Sequence, residues 1–129
     1  MSLSAMWASP IGRYGPLILY AALIYVVSDQ PTVPATPGGD KTAHVIAYAG
    51  LGVLWARAWP PEMNRWLRFI ATWLGTGLYG VSDEWHQSFV PGRHASLDDI
   101  IADVVGGAIG GAMFLTVQWL RRGDDDSDK

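Results

Sequence analysis

The sequence predicts an all-α fold, a bundle of four transmembrane helices with both termini on the inner side. Three observations lead there. Half of the 129 residues are hydrophobic, only 16% are charged, and seven are tryptophan, a profile of membrane chains rather than soluble ones. Four apolar runs, at Tyr14 to Val27, Ala43 to Trp59, Trp66 to Val81 and Ile100 to Leu120, alternate with segments rich in proline, glycine or charge. The arginines gather in the second connection and near the two ends. At this length one domain is expected, over residues 1–122. The acidic stretch DDDSDK closes the chain, and residues 123–129 are expected as a disordered tail.

The first run is preceded by Arg13 alone and lacks a small-residue cleavage site before the next prolines, so it is expected to stay as a helix. Pro16 suits its first turn. The segment QPTVPATPGGD, Gln30 to Asp40, cannot continue a helix through three prolines and two glycines, and Pro60 and Pro61 end the second helix in the same way. The first three runs are close to the lower limit of the roughly 17 to 25 residues that cross a hydrocarbon core of about 30 Å. The fourth is comfortably long. Gly106, Gly107, Gly110 and Gly111 form two overlapping small-xxx-small patterns, which let helices approach closely in lipid. Gly75 with Ala71 and Gly80 with Thr76 extend that pattern to the third helix, and glycine-rich faces of this kind also suit a homo-oligomer.

Basic residues set the orientation. Arg57, Arg65 and Arg68 flank the second connection, Arg121 and Arg122 follow the fourth helix and Arg13 precedes the first, whereas the first and third connections hold Lys41 and Arg93. The positive-inside rule therefore puts both termini inside. Trp55, Trp59, Trp66 and Trp119 are then expected at the inner interface and Trp85 at the outer one.

Polar residues converge at the outer end. Asp40, His44 and Tyr48 are spaced by four and share one helix face. Tyr79, Asp83 and either His86 or Gln87 form a second ladder, beside Glu84. Ser96 with Asp99 reads as a capping box, where Asp98 and Asp99 complement the helix dipole. Asp103 lies one turn deeper and needs a partner, for which Arg93 or Lys41 is expected. Charged groups cost about 3 kcal/mol each in a bilayer on insertion scales, so they normally face one another or a watery cavity. One outer pocket accounts for all of them. With no cysteine, thiolate metal sites, disulfides and a cysteine nucleophile are excluded. No basic patch suggests nucleic acid.

The motifs DKTAHVIAYAGLG, Asp40 to Gly52, and SDEWHQSFVPGRHASLDDIIADVVGGAIG, Ser82 to Gly110, together resemble the VanZ-like family of small bacterial membrane proteins. The resemblance implies a multi-pass protein of the bacterial plasma membrane. It carries motif positions onto Asp40, Lys41, His44, Tyr48, Asp83, Glu84, Gln87, Pro91, Gly92, Arg93, Ser96, Asp99, Asp103 and Gly106. The founding member is associated with teicoplanin resistance, and no reaction is securely attached to the family.

The expected function is accordingly to bind or act on a cell-envelope lipid, a lipid-linked cell-wall precursor or a lipoglycopeptide. Ligand-binding expectations fall on Asp40, Lys41, Tyr48, Gln87, Arg93, Ser96, Asp99 and Asp103. The alternative is a membrane hydrolase or transferase at a phosphate or ester, with Asp83 or Glu84 as general base, His86 or His44 as acid and the two cations holding an anionic oxygen. The same histidines and acids suit zinc, magnesium or manganese by ligand type, but no strong metal signature is present, and neither a metal nor a cofactor is assigned.

Overall fold

The computed structural model describes residue 6 and residues 9–127, except for 33–36. Four helices account for nearly all of it, α1 (Pro10–Ser28), α2 (Asp40–Ala58), α3 (Arg65–Gln87) and α4 (Leu97–Ser127), with no strand among the described residues. Each helix overruns its apolar run into polar sequence. Of the expected tail, residues 123–127 continue α4 as backbone and residues 128–129 lie outside the described residues.

Local chemistry explains the ends. Ser9 caps α1, its hydroxyl accepting from Gly12 N at 3.1 Å, and Pro10 rather than Pro16 occupies the first turn. Pro16 lies inside the helix and has no N–H for the carbonyl four residues earlier, that of Gly12. Arg57 supplies the missing donor, with Nη1 2.9 Å from Gly12 O. The chain enters α2 through Gly38 and Gly39, both at positive φ, and leaves it at Trp59, which is extended ahead of Pro60. Asn64 caps α3 by accepting from Trp66 N and Leu67 N.

Consecutive helices run antiparallel. The C-terminal ends of α1 and α3 meet through Ser28 and Asp83, and the N-terminal parts of α2 and α4 meet at the same end through His44 and Asp103. The most extensive interface is α2 on α4; α4 also packs on α3, while α1 touches α2 and α3 only. Glycine permits the closeness. A methyl group at Gly106 would come within 2.5 Å of Val45 O, one at Gly110 would strike Ala49 O, and one at Gly107 would strike the Thr76 hydroxyl. The glycine face of α4 is therefore occupied within the chain. Trp55, half-buried, packs on Gly75 of α3, and Arg65 lies over both Trp66 and Trp119 at the arginine-rich end.

Burial is inverted relative to a water-soluble protein. The interior holds Arg68, Thr72, Thr76, Asp83, Glu84, Gln87 and Asp103, beside a small apolar cluster of Ile24, Tyr48 and Leu51. The exterior carries Ile18, Leu19, Leu74, Leu78, Ile101 and Val105. Helix α3 shows the rule most sharply: Thr76 is fully buried while Leu78, two positions on, is 71% exposed. In water, contiguous apolar exposure of this kind is rare; a hydrocarbon surrounding selects for it, because lipid solvates leucine and the bundle interior must solvate the polar groups. By length and composition, α1 and residues Leu97–Gly123 of α4 suffice to cross a membrane; α2 and α3 fall short on the same test.

Candidate functional site

The end where the C-termini of α1 and α3 meet the N-termini of α2 and α4 holds a layered polar cluster. Its outer layer is a cavity of about 190 Å³. Leu23, Ile24, Val27, Ala43 and Ala47 form an apolar wall, and Ser28, Asp40, His44, Asp83, Gln87 and Arg93 supply the polar groups. Asp83 organises that side. Its Oδ2 accepts from Ser28 Oγ at 2.9 Å, from Gln87 Nε2 at 3.2 Å and from Tyr48 OH at 3.4 Å. Gln87 Oε1 in turn accepts from Arg93 Nη2 at 2.7 Å, so the loop arginine is anchored to the wall. The spacing of four between Asp83 and Gln87 makes this possible, since both then lie on the inward face of α3.

Behind that wall lies a second layer, in which Glu84 and Asp103 are fully buried. His44 Nδ1 is 2.8 Å from Asp103 Oδ1, and Glu84 Oε2 accepts from Ser96 N at 2.8 Å. A nitrogen of His44 and a carboxylate oxygen from each of Glu84 and Asp103 lie within 4.8 Å of one another, and Asp40, His44 and Asp99 form a second such group. His44 therefore belongs to the cavity wall and to both groups. Three carboxylate oxygens, Asp83 Oδ1, Glu84 Oε1 and Asp103 Oδ2, are buried with no hydrogen-bond partner. Buried acceptors are normally satisfied, so these three oxygens call for a proton, a water or a cation that the other side chains of the cluster do not supply.

Several expectations need correction. Asp103 is paired with His44 rather than with Arg93 or Lys41. Lys41 instead reaches across to Asp98 at 2.7 Å, an exposed pair of a kind that contributes little to stability. His86 does not join the cavity: it stacks on Tyr25 with ring centroids 4.2 Å apart and lies 3.2 Å from Asp29. Of the two alternatives on that helix, Gln87 faces the site. Glu84 and Asp103 do not line the cavity. Ser96 enters the site through its backbone N–H, which spans to Glu84 and ties the loop before α4 to α3. Ser28 was missed by the sequence reading, because a lone serine ending an apolar run carries no distinguishing signal. Arg68, read from the sequence as an arginine flanking the second connection, is buried at the opposite end, where it donates to Gln118 Oε1 and Ala56 O, each at 2.7 Å.

A family model described as VanZ/LLP1 matches residues 7–118 of the chain. No curated protein and no solved structure shows a significant match. The apolar helices and the family match both point to a membrane protein.

Proposed function

The chain belongs to the VanZ/LLP1 family, and from that premise we propose that it crosses the plasma membrane four times, with both termini inside, and binds an anionic envelope amphiphile in the cavity at its outer end. The observation that carries this reading is the two-sided wall of the cavity. Leu23, Ile24 and Val27 of α1 suit an acyl or polyprenyl chain, and Arg93, held by Gln87, suits a phosphate or carboxylate headgroup. Lipid-linked cell-wall precursors and lipoglycopeptides such as teicoplanin share that chemistry. Arginine enrichment at the opposite end supports the orientation, and the inverted burial of α3 supports its insertion despite its charges.

Native mass spectrometry of protein taken from membranes in mild detergent tests the reading. An envelope lipid or precursor retained by the wild type and lost in Arg93→Gln is expected; equal retention by both proteins removes the cavity from consideration. Teicoplanin susceptibility of a sensitive host, compared between wild type and Arg93→Gln at matched membrane levels, reads the same site as phenotype.

A second reading rests on one contact. Asp103 holds the His44 ring by Nδ1, as a carboxylate does when it orients a general base, so His44 at the cavity wall is arranged to activate water or a hydroxyl against a bound ester or phosphate. Turnover of a labelled envelope lipid by wild type and not by His44→Gln supports catalysis; retention without turnover leaves binding alone.

A further inference from the structure

Beneath the cavity, we propose that His44, Glu84 and Asp103 form a binding site for one first-row divalent cation of the zinc or manganese class. Two independent observations meet here. The first is donor geometry: three side chains from three helices each offer one ligand atom within 4.8 Å of the others. Donors about 2.0–2.2 Å from zinc stand roughly 3–4 Å apart, so small side-chain rotations close the set. The second is lack of satisfaction. Glu84 is 1% exposed and Asp103 0%, and Glu84 Oε1 and Asp103 Oδ2 have no hydrogen-bond partner.

The charge of the neighbourhood points the same way. Asp83, Glu84, Asp99 and Asp103 are all buried at this end, and the basic groups turned toward them are His44 and, from the loop, Arg93, which is bound to Gln87. Lys41 is committed to Asp98 at the surface. A cation among these carboxylates supplies the opposite charge that buried acids require. The donor set, one imidazole nitrogen with carboxylate oxygens, is harder than a thiolate site and softer than an all-oxygen site, which favours zinc or manganese over calcium. Ser96 N fixes Glu84 through Oε2 from outside the donor set and leaves Oε1 free, while Asp103 Oδ1 is paired within the set, to His44 Nδ1, and Oδ2 is left free.

The inference is independent of the amphiphile reading and is tested without it. Full-length protein is purified in detergent through a tag without histidines, stripped with a chelator, and titrated with zinc or manganese while bound metal is counted by elemental mass spectrometry and thermal unfolding is followed. About one equivalent per chain is expected, with a rise in unfolding temperature of roughly 5 °C or more. Glu84→Gln and Asp103→Asn should each lower affinity by at least about tenfold, and Asp98→Asn, on the surface, should leave it unchanged. Should the buried variants fail to fold, the wild type decides alone. Uptake below about a tenth of an equivalent with no thermal shift overturns the site, as does equal uptake by a folded Glu84→Gln or equal loss in Asp98→Asn.

Discussion

Single side-chain hydrogen bonds complete backbone groups that the helices leave open. Gly12 O is the clearest case, since Pro16 deprives it of a helical donor and Arg57 replaces that donor from α2. Arg57→Met should therefore cost about 1–3 kcal/mol, the usual penalty for leaving a buried acceptor unsatisfied. Pro16→Ala restores an N–H at the right place, so the Arg57→Met loss should shrink clearly in that background. Strict additivity in a double-mutant cycle, measured by unfolding in detergent, would discard the explanation. Glu84 permits a similar separation of roles. Glutamine keeps a carbonyl for Ser96 N and alanine does not, so Glu84→Ala should open the loop at residues 88–96 to protease roughly tenfold faster, the factor worth about 1.4 kcal/mol, while Glu84→Gln stays near the wild-type rate. Equal cleavage rates would show that the Ser96 contact does not hold the loop. Much of this was legible in the sequence: the spacing of four in Asp40, His44 and Tyr48 and in Asp83 and Gln87 is a helix-face signal. The pairing of His44 with Asp103 was not. A sequence offers Asp103 every cation in the chain as a partner, and only the α2–α4 packing brings the imidazole to it.

At the scale of helices, what was readable and what was not divides along hydropathy. Runs of apolar residues located all four elements, and prolines located their breaks. The polar ends of the helices were legible through spacing rather than hydropathy: Asp40 and Asp83 fall outside the apolar runs, and only their four-residue spacing to His44 and to Gln87 carries the helices that far. The glycine pattern of α4 announced close packing, but the identity of the neighbour, α2 with α3 behind it, depends on where the other helices lie. That neighbour makes a graded prediction possible. At Gly110 an added methyl group meets the backbone of Ala49, which cannot move without displacing α2; at Gly111 the nearest atom is the Thr72 methyl at 3.1 Å, which can give way. Gly110→Ala should therefore destabilise by about 1–3 kcal/mol or more, as overpacking does, and Gly111→Ala by clearly less. Thermal unfolding in detergent decides, and a reversed order would mean that α2 and α4 do not meet along this seam.

Across the whole molecule the two ends have opposite chemistry. One end gathers Arg13, Arg57, Arg65, Arg68, Arg121 and Arg122, with Trp66 and Trp119 under Arg65; the other gathers the buried acids, His44 and the cavity. Basic residues in short connections hold a segment on the inner side of a bacterial membrane, and their bias sets the orientation of the bundle. On the proposed orientation the cluster opens outward, where envelope precursors and glycopeptides are met, and a metal there would be drawn from outside the cell. The antiparallel order of the helices makes the orientation testable at two points together. A reporter that is active only outside the cytoplasm, fused after Pro91, should give full signal, and a fluorescent protein that matures only inside, fused after Lys129, should be bright. Replacing Arg57 and Arg65 with glutamine while adding lysines beside Arg93 weakens the bias from both sides, and should move a measurable share of molecules to the opposite orientation. A reporter silent after Pro91 in the unmodified chain would place the acidic end inside, and the envelope reading of the cavity would fall with it, while the metal titration would keep its meaning.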